Sequence, residues 1–191
     1  MELKEAINLR RSTRKFKKKK VKKSDVMELI ESARLAPSAA NRQPWQFVIL
    51  EKEKKDEVAN IMEKELDKQK NIKDSKQDPT QPYDPTTSLL GSIEVIREAL
   101  ILILVFREKR NAWLRGDYLS IGCAIENICL RATDLSLASL IIRDVIYTDD
   151  RIAEAIGYED KELVVALSIG YSNEFPYERH KKSIEKIMEW Y

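Results

Sequence analysis

ALILILVF, residues 99–106, is the longest strongly apolar run in a chain of 191 residues. It is far too short for a membrane-spanning helix, which needs about 20 apolar residues. Leu100 to Phe106 reads instead as a strand with apolar side chains on both faces, and such a strand has to be covered on both. Trp45 to Leu50, rich in β-branched and aromatic residues, reads as another strand, and Leu163 to Ile169 as a third, buried one.

The segments around these strands carry helical spacing. Leu3, Ala6, Ile7 and Leu9 mark a short helix over 2–9, ended by a cluster of arginines. Val26, Leu29, Ile30 and Ala33 follow i, i+3, i+4, i+7 in a second helix, which Ser24 is expected to cap and Pro37 to stop. Lys54 to Lys70 and Ser88 to Glu98 are further helices, and Asp149 to Ile156 is one ended by Gly157. Gly116 to Leu135 has apolar residues nearly all round, so it is expected at the centre of the domain or in a subunit interface. A short helix is expected around Ser183 to Tyr191. Residues 71–87, with Pro79, Pro82 and Pro85, break all periodicity and suit a functional cover or mobile segment. The whole, residues 1–191, reads as one α+β domain: a small sheet covered by helices.

Composition narrows the function. The 34 basic and 32 acidic residues leave a net charge of +2, without the basic surplus of a dedicated nucleic-acid binder. The run Lys17 to Lys23 lacks interleaved aromatics and is expected to be a solvated loop. Cys123 and Cys129 point in different directions on one helix, so they cannot pair; a reducing, cytoplasmic setting without membrane attachment is expected. His180 is the one histidine, which disfavours Ser-His-Asp, Cys-His and zinc chemistry. Neither a Gly-x-Gly-x-x-Gly nor a phosphate-binding Gly-rich loop occurs. An enzyme of this composition would rely on a bound cofactor.

Two stretches suit such a ligand. In Arg10-Arg11-Ser12-Thr13-Arg14, Arg10 and Arg14 are spaced to flank one anion, and guanidinium offers a phosphate two parallel donors. Pro37-Ser38-Ala39-Ala40-Asn41-Arg42-Gln43-Pro44-Trp45 is a loop of small and polar residues, which permits close backbone approach to a flat polar ligand. As a plain turn, the same loop would have Asn41 on local backbone and Trp45 in the core.

Together, the RRSTR stretch followed by Phe16 and the PSAANRQPW stretch followed by Gln46-Phe47 strongly resemble the FMN-dependent nitroreductase family. The resemblance continues through Asp117, Gly122, Ala124, Asn127, Leu130 and Ala132, then Leu135 to Ser139, Ile142-Arg143-Asp144, Leu167 to Tyr171 and the tail from Arg179 to Glu185. It implies a homodimer with FMN in clefts built from both chains, and a C-terminal tail reaching the partner subunit. Arg10 and Ser12 would hold the phosphate and ribityl chain, joined by Arg179 and Lys181, with Arg11 in the same cluster. Arg14 would lie near the pyrimidine edge of the ring. Pro37, Ser38, Ala39 and Asn41 would come from the partner, and Ile141, Ile142 and Arg143 would run past flavin N5. The implied activity passes electrons from NADH or NADPH to an electron-poor acceptor, nitroaromatic or quinone, by ping-pong chemistry. Relatives that fragment flavin or dehalogenate, and a flavin sensor, store or partner-regulated protein with little turnover, are the alternatives.

Three features depart from the family pattern. Ser136 and Ala138 stand where the family has glycines, so a left-handed backbone at either would be strained. Ile141 replaces a common aromatic, and 71–87 has no clear counterpart.

Overall fold

The computed structural model describes residues 1–73, 85–109, 112–175 and 180–191. Among these the elements are α1 (Leu3–Leu9), α2 (Lys23–Arg34), β1 (Gln46–Glu51), α3 (Lys52–Lys73), α4 (Pro85–Glu98), β2 (Ile101–Glu108), α5 (Leu114–Asp134), β3 (Ala138–Ile142), α6 (Asp149–Ala155) and β4 (Lys161–Gly170). The expected cover falls mainly outside the described residues; 71–73 end α3, and 85–87 open α4.

The strands form one antiparallel sheet in the order β1-β2-β4-β3. The apolar run that opens the sequence reading is its inner strand β2, whose alternate side chains divide between two cores. Leu102, Leu104 and Phe106 pack with Met62 of α3, Ile96 of α4 and Ile152 of α6. Ile101, Ile103 and Val105 pack with Leu29 of α2 and Ile121 and Ile128 of α5. Removing a large apolar side chain from water contributes about 1.5–3 kcal/mol. A strand with two such faces therefore holds both helical layers to the sheet, and the α+β class follows.

Four local expectations need correction. Ser24 does not cap α2: the N-cap position is Lys22, with no side-chain cap, and the Ser24 hydroxyl bonds Asp25 instead. Residues 183–191 form a single 3₁₀ turn at Ile184–Lys186 rather than a helix, because the apolar Ile184, Ile187 and Met188 stay exposed and gain no packing that would support one. A fourth strand, β3, lies where no strand is legible; Ala-Ser-Leu-Ile-Ile is short and opens on two small residues. Finally, α5 is not buried all round. Tyr118, Leu119, Gly122 and Cys123 are exposed on this chain, and Leu119 retains 73% of its accessible surface. Its other face, with Ile121, Ala124, Ile128 and Ala132, is buried in the core.

The turn from α5 into β3 accounts for one family glycine. The Leu137 N–H donates to the Ala132 carbonyl at 2.7 Å and the Ser136 N–H to the Thr133 carbonyl at 3.0 Å. This double bond pattern closes a helix when the intervening residue is left-handed, the position glycine usually takes. Ser136 occupies it with φ 58°, whereas Ala138 starts β3 and lies outside the left-handed region. Gly157 closes α6 in the same way with φ 75°. Ser136→Gly should therefore raise stability by up to about 1 kcal/mol and Ala138→Gly should lower it, read from paired thermal melts.

Candidate functional site

The arginine cluster leaves the C-terminal end of α1 as an extended segment along the sheet. Ser12 bridges Ser139 of β3 in parallel, and Phe16 bridges Ser172, just past β4, antiparallel. The Thr13 N–H donates to the Ser139 carbonyl at 3.0 Å and the Lys17 N–H to the Tyr171 carbonyl at 2.8 Å. Two carboxylates hold the backbone between them. Glu174 accepts from the Arg14 N–H at 2.5 Å, and Glu98 from the Phe16 N–H at 3.2 Å. Thr13 and Phe16 are buried anchors, while Ser12 and Arg14 are exposed.

Phe16 fits only because residue 170 has no side chain. A Cβ on Gly170 would stand 2.8 Å from Cδ1 of the buried ring, so the ring or the strand would have to move. Overpacking of this kind costs about 1–3 kcal/mol. Gly170→Ala should lower the melting temperature and speed hydrogen exchange at the Thr13 and Lys17 amides, leaving amides at the centre of the β1–β2 pair unaffected.

The expected anion ligands divide by role. The Arg10 Nε lies 3.2 Å from Glu126 on α5, and the side chain is partly exposed. Arg11 bends back, its Nη1 donating to the carbonyls of Asn8 at 2.5 Å and Arg10 at 2.8 Å, which satisfies the end of α1. Its sequence neighbours are better placed for a ligand. Arg14 lines a cavity of about 290 Å³. Ile141, Ile142 and Arg143 lie on the β3 side of this cavity, with Thr87, Ser88, Gly91, Ser92 and Val95 of α4 opposite. The structure thus brings Arg14 and 141–143 together. It also adds α4 and the buried Asp144, neither of which was among the expected ligands. The signal available in the sequence was the pair of small-residue steps Thr87-Ser88 and Gly91-Ser92, four apart and so on one helix face.

Pro37, Ser38, Ala39 and Asn41 are positioned elsewhere, against the N-terminal turns of α5. The Ala39 N–H donates to Ser120 Oγ at 3.1 Å, the Gln43 N–H to Ser38 Oγ at 3.0 Å, and Arg42 Nη2 to Asp117 at 3.2 Å. Gly116 lets this loop approach closely, since a Cβ there would sit 3.2 Å from Ala39 Cβ. Ala40, Asn41 and Gln43 have φ of 52°, 53° and 50° without a glycine among them. Strained backbone held by side chains is typical of a ligand-shaped loop. Among the described residues this loop and the Arg14 cavity do not line a common pocket.

A larger cavity of about 350 Å³ lies beside the loop, lined by Arg42, Trp45, Arg107, Asp117 and Lys161 among others. Its charges largely satisfy one another. Buried Arg107 pairs with Glu162 and lies 4.0 Å from Asp117, and Tyr118 donates to Glu162. Burial, reinforced by that bond, holds the Tyr118 phenol above its ordinary value. This network fixes the start of α5 to the sheet, whereas the smaller cavity is the one lined by Arg14 and 141–143. Of the tail residues, Lys181 is exposed and Arg179 lies outside the described residues. Burial pushes the Cys129 thiol up to about 11, so it is not a nucleophile; Cys123 is exposed. No group of three or more metal-ligating side chains occurs among the described residues, and no described helix is long and apolar enough to cross a membrane.

Comparison with known proteins gives this geometry a context. The nitroreductase family profile matches residues 7–171. The chain is 28% identical over 177 residues to YfhC of Bacillus subtilis, whose name describes an NAD(P)H nitroreductase, covering 91% of this chain and 86% of that protein. It is 29% identical over 170 residues to the iodotyrosine deiodinase of Thermotoga neapolitana, covering 86% of each. The crystal structure of a BluB-like flavoprotein from Clostridium difficile superposes with a TM-score of 0.83 at 24% identity, covering 100% of this chain and 99% of that one.

Proposed function

The chain belongs to the nitroreductase family, and on that premise we propose that it is an FMN-dependent oxidoreductase that draws electrons from NADH or NADPH. One observation carries the reading. The pinned segment Ser12–Phe16 sets Arg14 into the same cavity as Ile141–Arg143, two and four residues after Ser12 and Arg10 in the same basic stretch. A phosphate needs charged donors and a flat ring needs a slot with a polar edge, and both occur along this one edge of the sheet. When bound there, FMN would supply hydride acceptance and release, chemistry that no side chain of this protein offers.

The protein's own groups have simpler tasks. Arg10 and Ser12 hold the phosphate, with Glu126 releasing Arg10 to it; Arg179 and Lys181 of the tail add charge. Arg14 places a fixed cation beside the ring, which favours accepting an electron pair. Ile141 to Arg143 offer backbone donors along one ring edge. No acid or base is needed to receive a hydride, in keeping with a site that lacks histidine.

Half of the cleft comes from a second copy. Within one chain, Pro37, Ser38, Ala39 and Asn41 do not share a cavity with Arg14, while the outer face of α5 and the tail remain uncovered. Ile184, Ile187, Met188 and Trp190 are all exposed. A homodimer packed through α5 buries these surfaces and brings the strained loop of one copy to the clamp of the other. NAD(P)H and an electron-poor acceptor, a nitroaromatic or quinone, then use one cleft in turn. The named reactions of the two relatives differ at similar identity, so the acceptor class rests on the open cleft rather than on the family.

Two experiments test this reading. Protein equilibrated with FMN and desalted should keep its flavin absorbance, lose it when NADH or NADPH is added without oxygen, and regain it with a quinone. Absence of retained flavin would overturn the proposal. Leu119→Arg, harmless to a chain in which that side chain is exposed, should turn a dimer into a monomer in sedimentation and abolish flavin retention. A dimer with unchanged flavin content would place the interface elsewhere.

A further inference from the structure

Asp144 is buried, with 4% of its surface accessible, yet it lies in the wall of the Arg14 cavity. Its Oδ2 accepts from the Ser88 hydroxyl and from the Ser92 hydroxyl, both at 2.7 Å. Its Oδ1 lies 3.6 Å from Arg143 Nη2. The two serines are one turn apart on α4 and line the same cavity, with Gly91 between them on that wall. A Cβ on Gly91 would meet nothing within 4 Å, so the wall is recessed there. At the far end of the helix, the buried Lys55 ammonium donates to the carbonyls of Ile96 at 2.6 Å and Arg97 at 3.2 Å, which fixes α4 lengthwise.

These contacts decide what α4 presents to a ligand. A serine hydroxyl has one proton and two lone pairs. With both protons committed to Asp144, Ser88 and Ser92 have only lone pairs left to offer. The opposite side of the cavity contributes the Arg14 guanidinium, which only donates. The cavity therefore has an accepting wall and a donating corner.

We propose that Asp144 is a positioning residue that makes Ser88 and Ser92 hydrogen-bond acceptors for a ring N–H of the bound ligand, with the Gly91 recess admitting the ring edge. The ligand group this wall selects is a cyclic imide, an N–H flanked by carbonyls. Arg14 can donate to a flanking carbonyl while a serine accepts from the N–H. The proposal rests on the FMN reading above, because the isoalloxazine carries that edge. It adds the polarity of the α4 wall and the residue that sets it.

The test is a fluorescence titration of the apoprotein with FMN and with FMN methylated at N3, which lacks the imide proton. The wild-type protein should bind FMN about tenfold more tightly, the ratio expected for one buried hydrogen bond. Asp144→Ala removes the single oxygen that accepts from both serines, whose protons are then free to turn to the cavity. Its preference should fall to about threefold or less, with a melting temperature recorded alongside. The double variant Ser88→Ala/Ser92→Ala removes the acceptors without touching the carboxylate and should lose the preference as well, which covers the case of an unstable Asp144→Ala protein. Equal wild-type binding of the two flavins, or an unchanged preference in the double variant, would overturn the proposal while leaving the FMN reading intact. Failure of the wild-type protein to bind either flavin would overturn both.

Discussion

The pairing of residues 12–17 with the edge formed by β3 and the end of β4 is the contact on which the candidate site depends. It consists of few parts: backbone bonds from Thr13 and Lys17 to Ser139 and Tyr171, and a phenylalanine seated over a glycine. Between these anchors the backbone is held by hydrogen bonds, which sets Ser12 and Arg14 beside β3. Glu174 and Glu98 strengthen the arrangement by accepting from the intervening N–H groups. A flexible N-terminal arm with the same arginines would lose rotamer and backbone entropy on binding an anion; a pinned one has largely lost it during folding.

The same constraint explains how much of the protein was legible in its sequence. Elements that bury an apolar face announce themselves, and β2, α2, α3 and α5 lie close to where their spacing puts them. β3 does not, because it is short and its identity comes from the neighbours on both sides, β4 and residues 12–13, rather than from its own composition. Ser24 misleads for a related reason: a good capping residue one position inside the helix finds another partner. Ser136 is instructive in the opposite sense. The strain anticipated at a serine replacing a glycine occurs there and not at Ala138, because only the first sits in the closing turn of α5.

For the candidate site, the motifs pointed to Arg14 and to 141–143 in the cavity wall but not to α4 on its other side. Arg10, Ser12 and Arg14 are recognisable by type and spacing, whereas Ser88, Ser92 and Asp144 are ordinary residues until the fold sets them 2.7 Å apart across 52 to 56 positions of sequence. Arg11 shows the converse, an arginine in the motif whose guanidinium closes α1 in this structure. Spacing along the chain cannot separate a side chain that binds a ligand from one that satisfies a helix end.

We propose one cleft assembled from the clamp of one chain and the strained loop of another. Mixing two defective proteins addresses it directly: one with Arg10 and Arg14 replaced by alanine, the other with Ser38 and Asn41 replaced by bulky residues. Each alone should fail to retain FMN. After unfolding and refolding together, random pairing should restore flavin to about a quarter of the sites, since half the dimers are mixed and each mixed dimer has one intact cleft. No recovery from two variants that each fold and dimerise would mean that both halves of the site belong to the same chain.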